Sequence, residues 1–159
     1  MASPYAIGET QSRALWHFDS LQQWLATSED TDDRFWVTHT RAARGASVPW
    51  HLHEREDEAW YVLEGDYTFF VGDQELRATA GSFVFLPRGV PHTLRVDSMR
   101  GRCLNLGVPG GFDRFFFETG RPAPRFSLPG ADAEPPPDAA TLAGVCHRYG
   151  VTIVGAPPT

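Results

Sequence analysis

Four side chains that bind metal ions well lie close together in this sequence: His51, His53, Glu58 and His92. Imidazole is a good ligand for iron, nickel, copper and zinc. One carboxylate oxygen makes the ligand set harder and shifts its preference towards iron, manganese or nickel. The set therefore predicts a centre for one divalent metal ion. Iron, nickel and manganese are the first expectation, and zinc, cobalt and copper are the alternatives.

The spacing of these residues suits a strand, a turn and a second strand. His51 and His53 are two positions apart, so on a strand both imidazoles point to the same face, roughly 6–7 Å apart along the backbone. The charged segment 54–57 cannot belong to a core and predicts a turn. Glu58 then begins the strongest strand pattern in the chain, whose apolar part is Ala59–Leu63.

Further turns are predicted between the first three ligands and the last one. Segments 64–66 and 71–74 each contain Gly and Asp, which favour tight turns. The apolar run Phe83–Leu86 predicts a strand, and the bend Pro87–Pro91 leads into another strand that begins at His92. Two antiparallel hairpins would then bring the four ligands together from three strand ends.

The same residues belong to two longer motifs. The first reads G-x5-H-x-H-x4-E-x6-G from Gly45 to Gly65, and the second reads G-x5-P-x-G-x2-H from Gly81 to His92. Both resemble the signature motifs of the cupin superfamily, which are small β-barrels that carry a metal inside. The second motif departs from the family only four residues after its histidine, where the family often has Asn and this chain has Val96.

The flanking sequence resembles small single-domain cupins of actinobacterial type that are grouped as quercetin 2,3-dioxygenase-like. The residues that carry this resemblance are Thr31, Phe35, Gly111-Phe112, Phe115-Phe116, Arg148-Tyr149-Gly150 and Gly155-Ala156-Pro157-Pro158. The resemblance implies an all-β fold, a single cupin (jelly-roll) β-barrel with short C-terminal helices. It implies His51, His53, Glu58 and His92 as the metal ligands.

The length of 159 residues predicts one domain with a real core. Residues 1–14 are expected to form an N-terminal arm and residues 15–110 the cupin barrel. Residues 111–159 are expected to pack on the barrel as a C-terminal helix, a Pro-rich segment and a tail. The helical patterns cover 110–118 and 138–149, and a final strand pattern covers 151–154.

The N-terminal part of the barrel region allows two interpretations. Asp19 and Ser20 could cap a short helix over residues 20–27. The family resemblance favours a strand there, and we adopt the strand.

Composition and charge exclude several classes of protein. Hydrophobic residues make up 42% and aromatic residues 13% of the chain, as in a globular β-rich protein. The net charge of −6 argues against a nucleic acid partner. An apolar run of about 18 residues is missing, so we expect no membrane partner. Met1–Tyr5 do not resemble a signal peptide, and Cys103 and Cys146 are expected to be reduced thiols, so we expect a cytoplasmic protein.

The strands that carry the ligands also predict a substrate cavity. Alternation places Trp60 on the face of Glu58, and places Leu94 and Val96 on the face of His92. Taken singly, the aromatic residues are better explained as core, but together they predict an apolar cavity for a small aromatic molecule. The candidate substrate contacts are Trp36, Trp60, Phe69, Phe83, Phe85, Leu94 and Val96.

Three functions fit these features. The first is a dioxygenase, a quercetin 2,3-dioxygenase-like oxidoreductase that acts on a hydroxylated aromatic or polyketide-like substrate. The family resemblance implies that Glu58 is then both a ligand and the catalytic base. The second is a non-redox metal cupin, a cyclase, isomerase or dehydratase of natural-product biosynthesis. The third is a cupin that binds a small molecule without turnover.

Two further interpretations concern residues outside the ligand set. A lone histidine is more often structural than a ligand, and we apply that interpretation to His17, His39 and His147. The aromatic residues of segment 15–27 predict a homodimer in which this segment contacts the partner, since closed two-fold dimers are the commonest oligomers.

Overall fold

The computed structural model describes residues 1–131, 133–135 and 137–158. Within these residues, antiparallel strands form two sheets and two short helices follow near the C-terminus. The strands are β1 Arg13–His17, β2 Ser20–Ala26, β3 Trp36–Ala43, β4 Trp50–His53, β5 Asp57–Glu64, β6 Tyr67–Val71, β7 Gln74–Ala78, β8 Phe83–Leu86, β9 His92–Val96, β10 Arg100–Val108, β11 Arg121–Pro122 and β12 Val151–Gly155. The helices are α1 Asp113–Thr119 and α2 Ala139–Arg148.

The larger sheet has the strand order β11-β1-β2-β3-β10-β5-β8, and the smaller sheet has the order β12-β4-β9-β6-β7. Side chains from both sheets form one buried cluster between them, which includes Trp60 and Val62 from one sheet and Phe69 and Leu94 from the other. The all-β jelly-roll fold with short C-terminal helices is therefore confirmed.

The predicted hairpins are only half right. Residues 71–74 do join β6 and β7 as a hairpin, with Val71 paired to Gln74. The turn at Gly65 instead carries the chain from β5 in the larger sheet to β6 in the smaller sheet. Gly65 has a φ of 89°, and a Cβ there would lie 2.2 Å from the carbonyl oxygen of Arg100, so only glycine fits this crossing. Local turn chemistry predicted that turn but not which strands it joins.

Helix α1 packs against β1, and helix α2 packs against β12 and α1, around a second buried cluster that includes Trp24, Trp36 and Phe116. Asp138 caps α2, because its carboxylate accepts from the backbone N–H groups of Ala140 and Thr141. The two helices and the last strand agree with the sequence patterns. None of the helices in the described part of the chain is long and apolar enough to cross a membrane.

Segment 15–27 forms β1 and β2, so the strand interpretation is confirmed and the short helix is wrong. Its two tryptophans are covered by this chain itself: Trp16 and Trp24 are buried, and the Trp24 ring lies 5.4 Å from that of Phe116. The reason for expecting partner contact at this segment is therefore weaker. The homodimer stays a prediction.

His17 is buried at the contact between β1 and α1. Its Nε2 atom lies 3.1 Å from the Thr119 hydroxyl, and the rings of Phe115 and Phe116 pack edge-on against it. Burial, with a smaller contribution from the charge of Arg121, lowers the pKa of His17 to about 3. The structural interpretation of this histidine agrees with these contacts.

The pKa of His17 leads to a testable pH dependence. Between pH 6.5 and pH 3 the unfolded chain binds a proton at His17 that the folded chain does not bind, so stability falls as the pH falls through this range. The expected loss between pH 7.5 and pH 5 is ~2 kcal/mol for this one group. His17→Gln, which stays uncharged, should remove that part of the pH dependence in urea unfolding of chelator-treated protein.

The pKa of His51 is also lowered, to about 4. His51 therefore contributes a similar loss of stability to the wild type and to His17→Gln, and this contribution cancels when the two are compared. Identical pH dependence of unfolding in the wild type and His17→Gln would contradict a neutral, buried His17.

Candidate metal centre

The four predicted ligands meet between the two sheets. His51 and His53 point to the same side of β4, and His51 is paired with His92 at the start of β9. Glu58 comes from β5 in the opposite sheet. The backbone N–H of Gly89 donates to the carbonyl oxygen of His53 at 2.7 Å and so fastens the bend before His92 to the end of β4.

One nitrogen from each histidine and one oxygen of Glu58 lie within 4.8 Å of one another. His53, Glu58 and His92 are buried, and His51 is half-buried. The ring centroids of His51 and His92 are 4.5 Å apart, and those of His53 and His92 are 5.6 Å apart. Bonds of about 2.0–2.2 Å from one ion to nitrogen and oxygen allow ligand atoms up to about 4.4 Å apart, close to this spacing.

Each histidine has its Nδ1 atom engaged by an oxygen that can only accept, so Nδ1 carries a proton. The Nε2 atoms of His51 and His53 then have a free lone pair, whereas Nε2 of His92 donates to Glu58 Oε2 at 3.2 Å in this structure. The acceptors are the carbonyl oxygen of Pro49 for His51 at 2.8 Å, the carbonyl oxygen of Val90 for His92 at 2.9 Å and the Glu56 carboxylate for His53 at 3.2 Å. Such outer hydrogen bonds orient metal-binding imidazoles. His51 and His53 therefore present the tautomer that a metal requires, and His92 would do so once its Nε2 proton is lost.

Glu58 is held in a comparable way by Asn105 on β10. The Asn105 Nδ2 group donates to Glu58 Oε1 at 2.8 Å, which leaves Oε2 on the side of the histidines. Oε2 lies 3.2 Å from His92 Nε2 and 3.8 Å from His53 Nε2. Sequence reasoning missed Asn105, although alternation along β10 places it on the inner face with Cys103.

The charges in this cluster shift its pKa values. Burial raises the pKa of Glu58, but the hydrogen bond from His92 and the positive charge of the histidines outweigh burial and lower it to about 2. Burial, with repulsion from His92 and His53, lowers the pKa of His51 to about 4. For His92, burial lowers the pKa, while the hydrogen bond and charge of Glu58 raise it, and the net direction is upward. Glu58 is therefore an ionised acceptor near neutral pH.

A divalent metal ion fits these residues. The Nε2 atom of His53 is buried and has no hydrogen-bond partner among the described residues, which is costly for a polar atom in a protein interior. Three imidazoles and one carboxylate suit iron, nickel or manganese. These four side chains could thus hold one ion, with the unpartnered nitrogen as one donor.

His51, Glu58 and His92 also line a cavity between the sheets, and its wall is mostly apolar. Trp60, Leu94 and Val96 form part of this wall, as the alternation pattern predicted. Their contact with a substrate stays a prediction. On the side of the C-terminal helices, the wall includes Phe112, Phe115 and Phe116.

Four of the candidate substrate contacts lie elsewhere in the structure. Trp36 and Phe69 are fully buried in the two core clusters and are not among the lining residues. Phe83 and Phe85 are 63% and 53% exposed, on the outer face of β8, so their assignment to the cavity is wrong. The run Phe83–Leu86 is apolar on both faces, so alternation alone could not show which face lies inside.

Several polar atoms on lining residues have no hydrogen-bond partner in the described part of the chain, among them Gln22 Oε1, Thr40 Oγ1 and Trp60 Nε1. Gln22 and Thr40 are paired across β2 and β3. Buried polar atoms normally find a partner in protein, water or ligand. The cavity can therefore accept a molecule that is largely apolar but carries polar groups.

Glu56 corrects the interpretation of the charged segment 54–57. Its neighbours Glu54 and Arg55 are exposed, as a turn predicts, but Glu56 is only 4% exposed and contacts His53. Nothing in the local sequence distinguishes it, because its second contact is the backbone of Phe112, which is distant in the chain.

Val96 offers a test of the cavity wall. It is 1% exposed, lies in the cluster between the sheets and lines the cavity. Val96→Asn should weaken the binding of an apolar aromatic probe such as 2-naphthol by about 1–2 kcal/mol, because it places a polar group in an apolar wall. Titration calorimetry measures the dissociation constant, and the same substitution at exposed Val154 is the control. Unchanged or tighter binding by Val96→Asn would show that Val96 does not face the bound molecule.

Comparison with known proteins adds a family and several relatives. Residues 38–105 match the family described as Cupin domain. Quercetin 2,3-dioxygenase of Bacillus subtilis is 31% identical over 121 residues, which are 76% of this chain and 36% of that protein. Tetracenomycin polyketide synthase protein TcmJ of Streptomyces glaucescens is 33% identical over 102 residues, 64% of this chain and 61% of that protein. This chain therefore spans only about a third of the length of the Bacillus relative.

Among solved structures, a predicted oxalate decarboxylase from Thermotoga maritima matches with a TM-score of 0.62. The match covers 66% of this chain and 99% of that chain, at 18% identity. At that identity the likeness shows a shared fold alone.

Proposed function

The chain belongs to the cupin superfamily, and from that premise we propose that it is a metal-dependent enzyme, a dioxygenase that acts on a hydroxylated aromatic or polyketide-like small molecule. One observation carries the proposal: three histidines and a glutamate converge at the wall of a mostly apolar cavity between the sheets. The similarity to quercetin 2,3-dioxygenases of Bacillus subtilis and Aspergillus japonicus supports it.

In this proposal His51, His53, Glu58 and His92 hold one divalent ion. The ion, when bound, supplies Lewis-acid polarisation of a substrate hydroxyl. Glu58 accepts the hydroxyl proton at Oε2, while Asn105 keeps Oε1 engaged and the carboxylate oriented.

The cavity wall binds and orients the rest of the substrate. Leu94 and Val96 exclude water from the apolar part of the molecule. The unpartnered atoms of Gln22, Thr40 and Trp60 are available to polar substituents such as ring hydroxyls. A hydroxylated aromatic molecule matches this combination of apolar wall and few polar atoms.

The second candidate is a non-redox metal cupin, a cyclase, isomerase or dehydratase of natural-product biosynthesis. The similarity to the polyketide synthase protein of Streptomyces glaucescens favours it. The same residues would bind substrate and ion and move the same proton, without consumption of dioxygen.

One experiment separates these functions. Protein purified without an affinity tag is reconstituted with Fe, Ni, Mn or Co and given catechols, flavonols and polyketide phenols in an oxygen electrode. Dioxygen uptake that matches substrate loss supports the dioxygenase, and substrate loss without uptake supports the non-redox enzyme. Retained metal with no substrate consumed would contradict both and leave a binding protein.

We also propose that the protein is a cytoplasmic homodimer in which segment 15–27 contacts the partner. The expected result of sedimentation velocity at micromolar concentration is a species of about twice the chain mass of 17.7 kDa. A single species at the monomer mass would contradict the dimer.

A further inference from the structure

Glu56 is a buried carboxylate outside the proposed ligand set. An isolated ionised carboxylate is costly to bury unless hydrogen bonds compensate for the water it loses. Two donors meet it: the backbone N–H of Phe112 reaches Oε1 at 2.6 Å, and Nδ1 of His53 reaches Oε2 at 3.2 Å. Each carboxylate oxygen therefore accepts one hydrogen bond, and the two donors come from different parts of the chain.

We propose that Glu56 is a positioning residue that holds the proton of His53 on Nδ1 and thereby keeps the Nε2 lone pair free for a metal ion. His51 and His92 use backbone carbonyl oxygens for this purpose, so a side-chain substitution cannot remove their acceptors. His53 depends on a side chain instead. This inference rests on the proposed metal site and is independent of the reaction carried out there.

The second hydrogen bond makes Glu56 a link between the candidate metal centre and the C-terminal segment. Phe112 precedes α1, and its ring packs edge-on against the His53 ring at 4.6 Å between centroids. The position of His53 is thus set from two sides by one short segment, through the Phe112 ring and through Glu56.

The chemistry of glutamine makes the role of Glu56 testable. A carboxylate has two acceptor oxygens, whereas a glutamine amide has one acceptor and one donor group. In Glu56→Gln the fixed N–H of Phe112 requires the single oxygen, and the NH2 group then faces Nδ1 of His53. Nδ1 must become an acceptor, so the proton moves to Nε2 and blocks the lone pair that a metal needs.

A role for Glu56 that was only structural would predict a different outcome. If Glu56 merely accepted the Phe112 N–H, glutamine would replace it with little effect, because its oxygen fills the same position. Glu54 is the matched control: it is exposed, two residues away in the same segment, and Glu54→Gln removes the same charge.

The experiment uses the full chain and two readouts. In chelator-treated protein at pH 8, ¹⁵N NMR correlation spectra of the imidazoles report which ring nitrogen of His53 carries the proton. In parallel, competition titration measures the affinity for Ni²⁺ and Zn²⁺. We expect Nδ1–H in the wild type and in Glu54→Gln, and Nε2–H in Glu56→Gln with a 10–100-fold loss of metal affinity, the range known for outer-shell substitutions.

Glu56→Gln with Nδ1–H and full metal affinity would overturn the inference. A loss of affinity with an unchanged tautomer would also overturn it, since that loss would come from the missing charge. If Glu56→Gln does not fold, the NMR spectrum of the wild type is the test. A proton on Nε2 of His53 in the wild type would contradict the proposal. If the wild type binds neither metal, the proposed function fails. The NMR measurement of the His53 tautomer still tests the role of Glu56 in that case.

Discussion

His53→Ala is expected to lower metal content sharply while the barrel remains folded. His53 is 1% exposed, and its Nε2 is a buried nitrogen without a hydrogen-bond partner among the described residues, so its removal opens one side of the proposed coordination shell. The loss of affinity should exceed the ~10–100-fold that follows from changing an outer-shell partner. Elemental analysis of tag-free protein after gel filtration measures the metal content, and circular dichroism checks the fold.

His147→Ala is the matched control for this substitution, because His147 is exposed on α2 and lies outside the cluster. It should keep wild-type metal content. A His53→Ala protein with full metal occupancy would refute the assignment of the ligands.

Glu58→Gln has the second large expected effect. Glutamine keeps an oxygen for Asn105 or for the ion but removes the charge and the proton acceptor. If Glu58 takes a proton from the substrate, turnover should fall about 10²-fold or more. Three histidines remain, so part of the metal should stay bound.

The measurement is the turnover number per bound metal ion, with the substrate identified in the oxygen-electrode screen. Normalising to bound metal separates the loss of the base from the loss of a ligand. Near-normal turnover per metal ion in Glu58→Gln would leave Glu58 as a ligand only.

The convergence of the four candidate ligands could be predicted from sequence because the pattern is local and regular. His51 and His53 share a face of one strand by the period of two, and Glu58 and His92 each stand at the start of a strand. The residues that hydrogen-bond to these ligands could not be predicted. Glu56 meets Phe112, and Asn105 meets Glu58, across distances in the chain that only the sheet topology bridges.

Two errors have related physical causes. The pairing of strands across Gly65 was wrong because a tight turn specifies a change of direction and not the sheet that the next strand joins. Phe83 and Phe85 were placed inside because β8 is apolar on both faces, and alternation carries information only where the two faces differ in polarity. In both cases the missing information lies in contacts between distant strands.

The most direct test of the proposed metal site is an anomalous-scattering measurement on crystals of the tag-free protein loaded with Ni²⁺ or Fe²⁺. If these side chains bind the ion, one strong anomalous peak lies among His51, His53, Glu58 and His92, with bonds of about 2.0–2.2 Å to all four. A peak at another position, or well-ordered side chains without a peak between them in metal-loaded crystals, would contradict a metal-dependent function at this site.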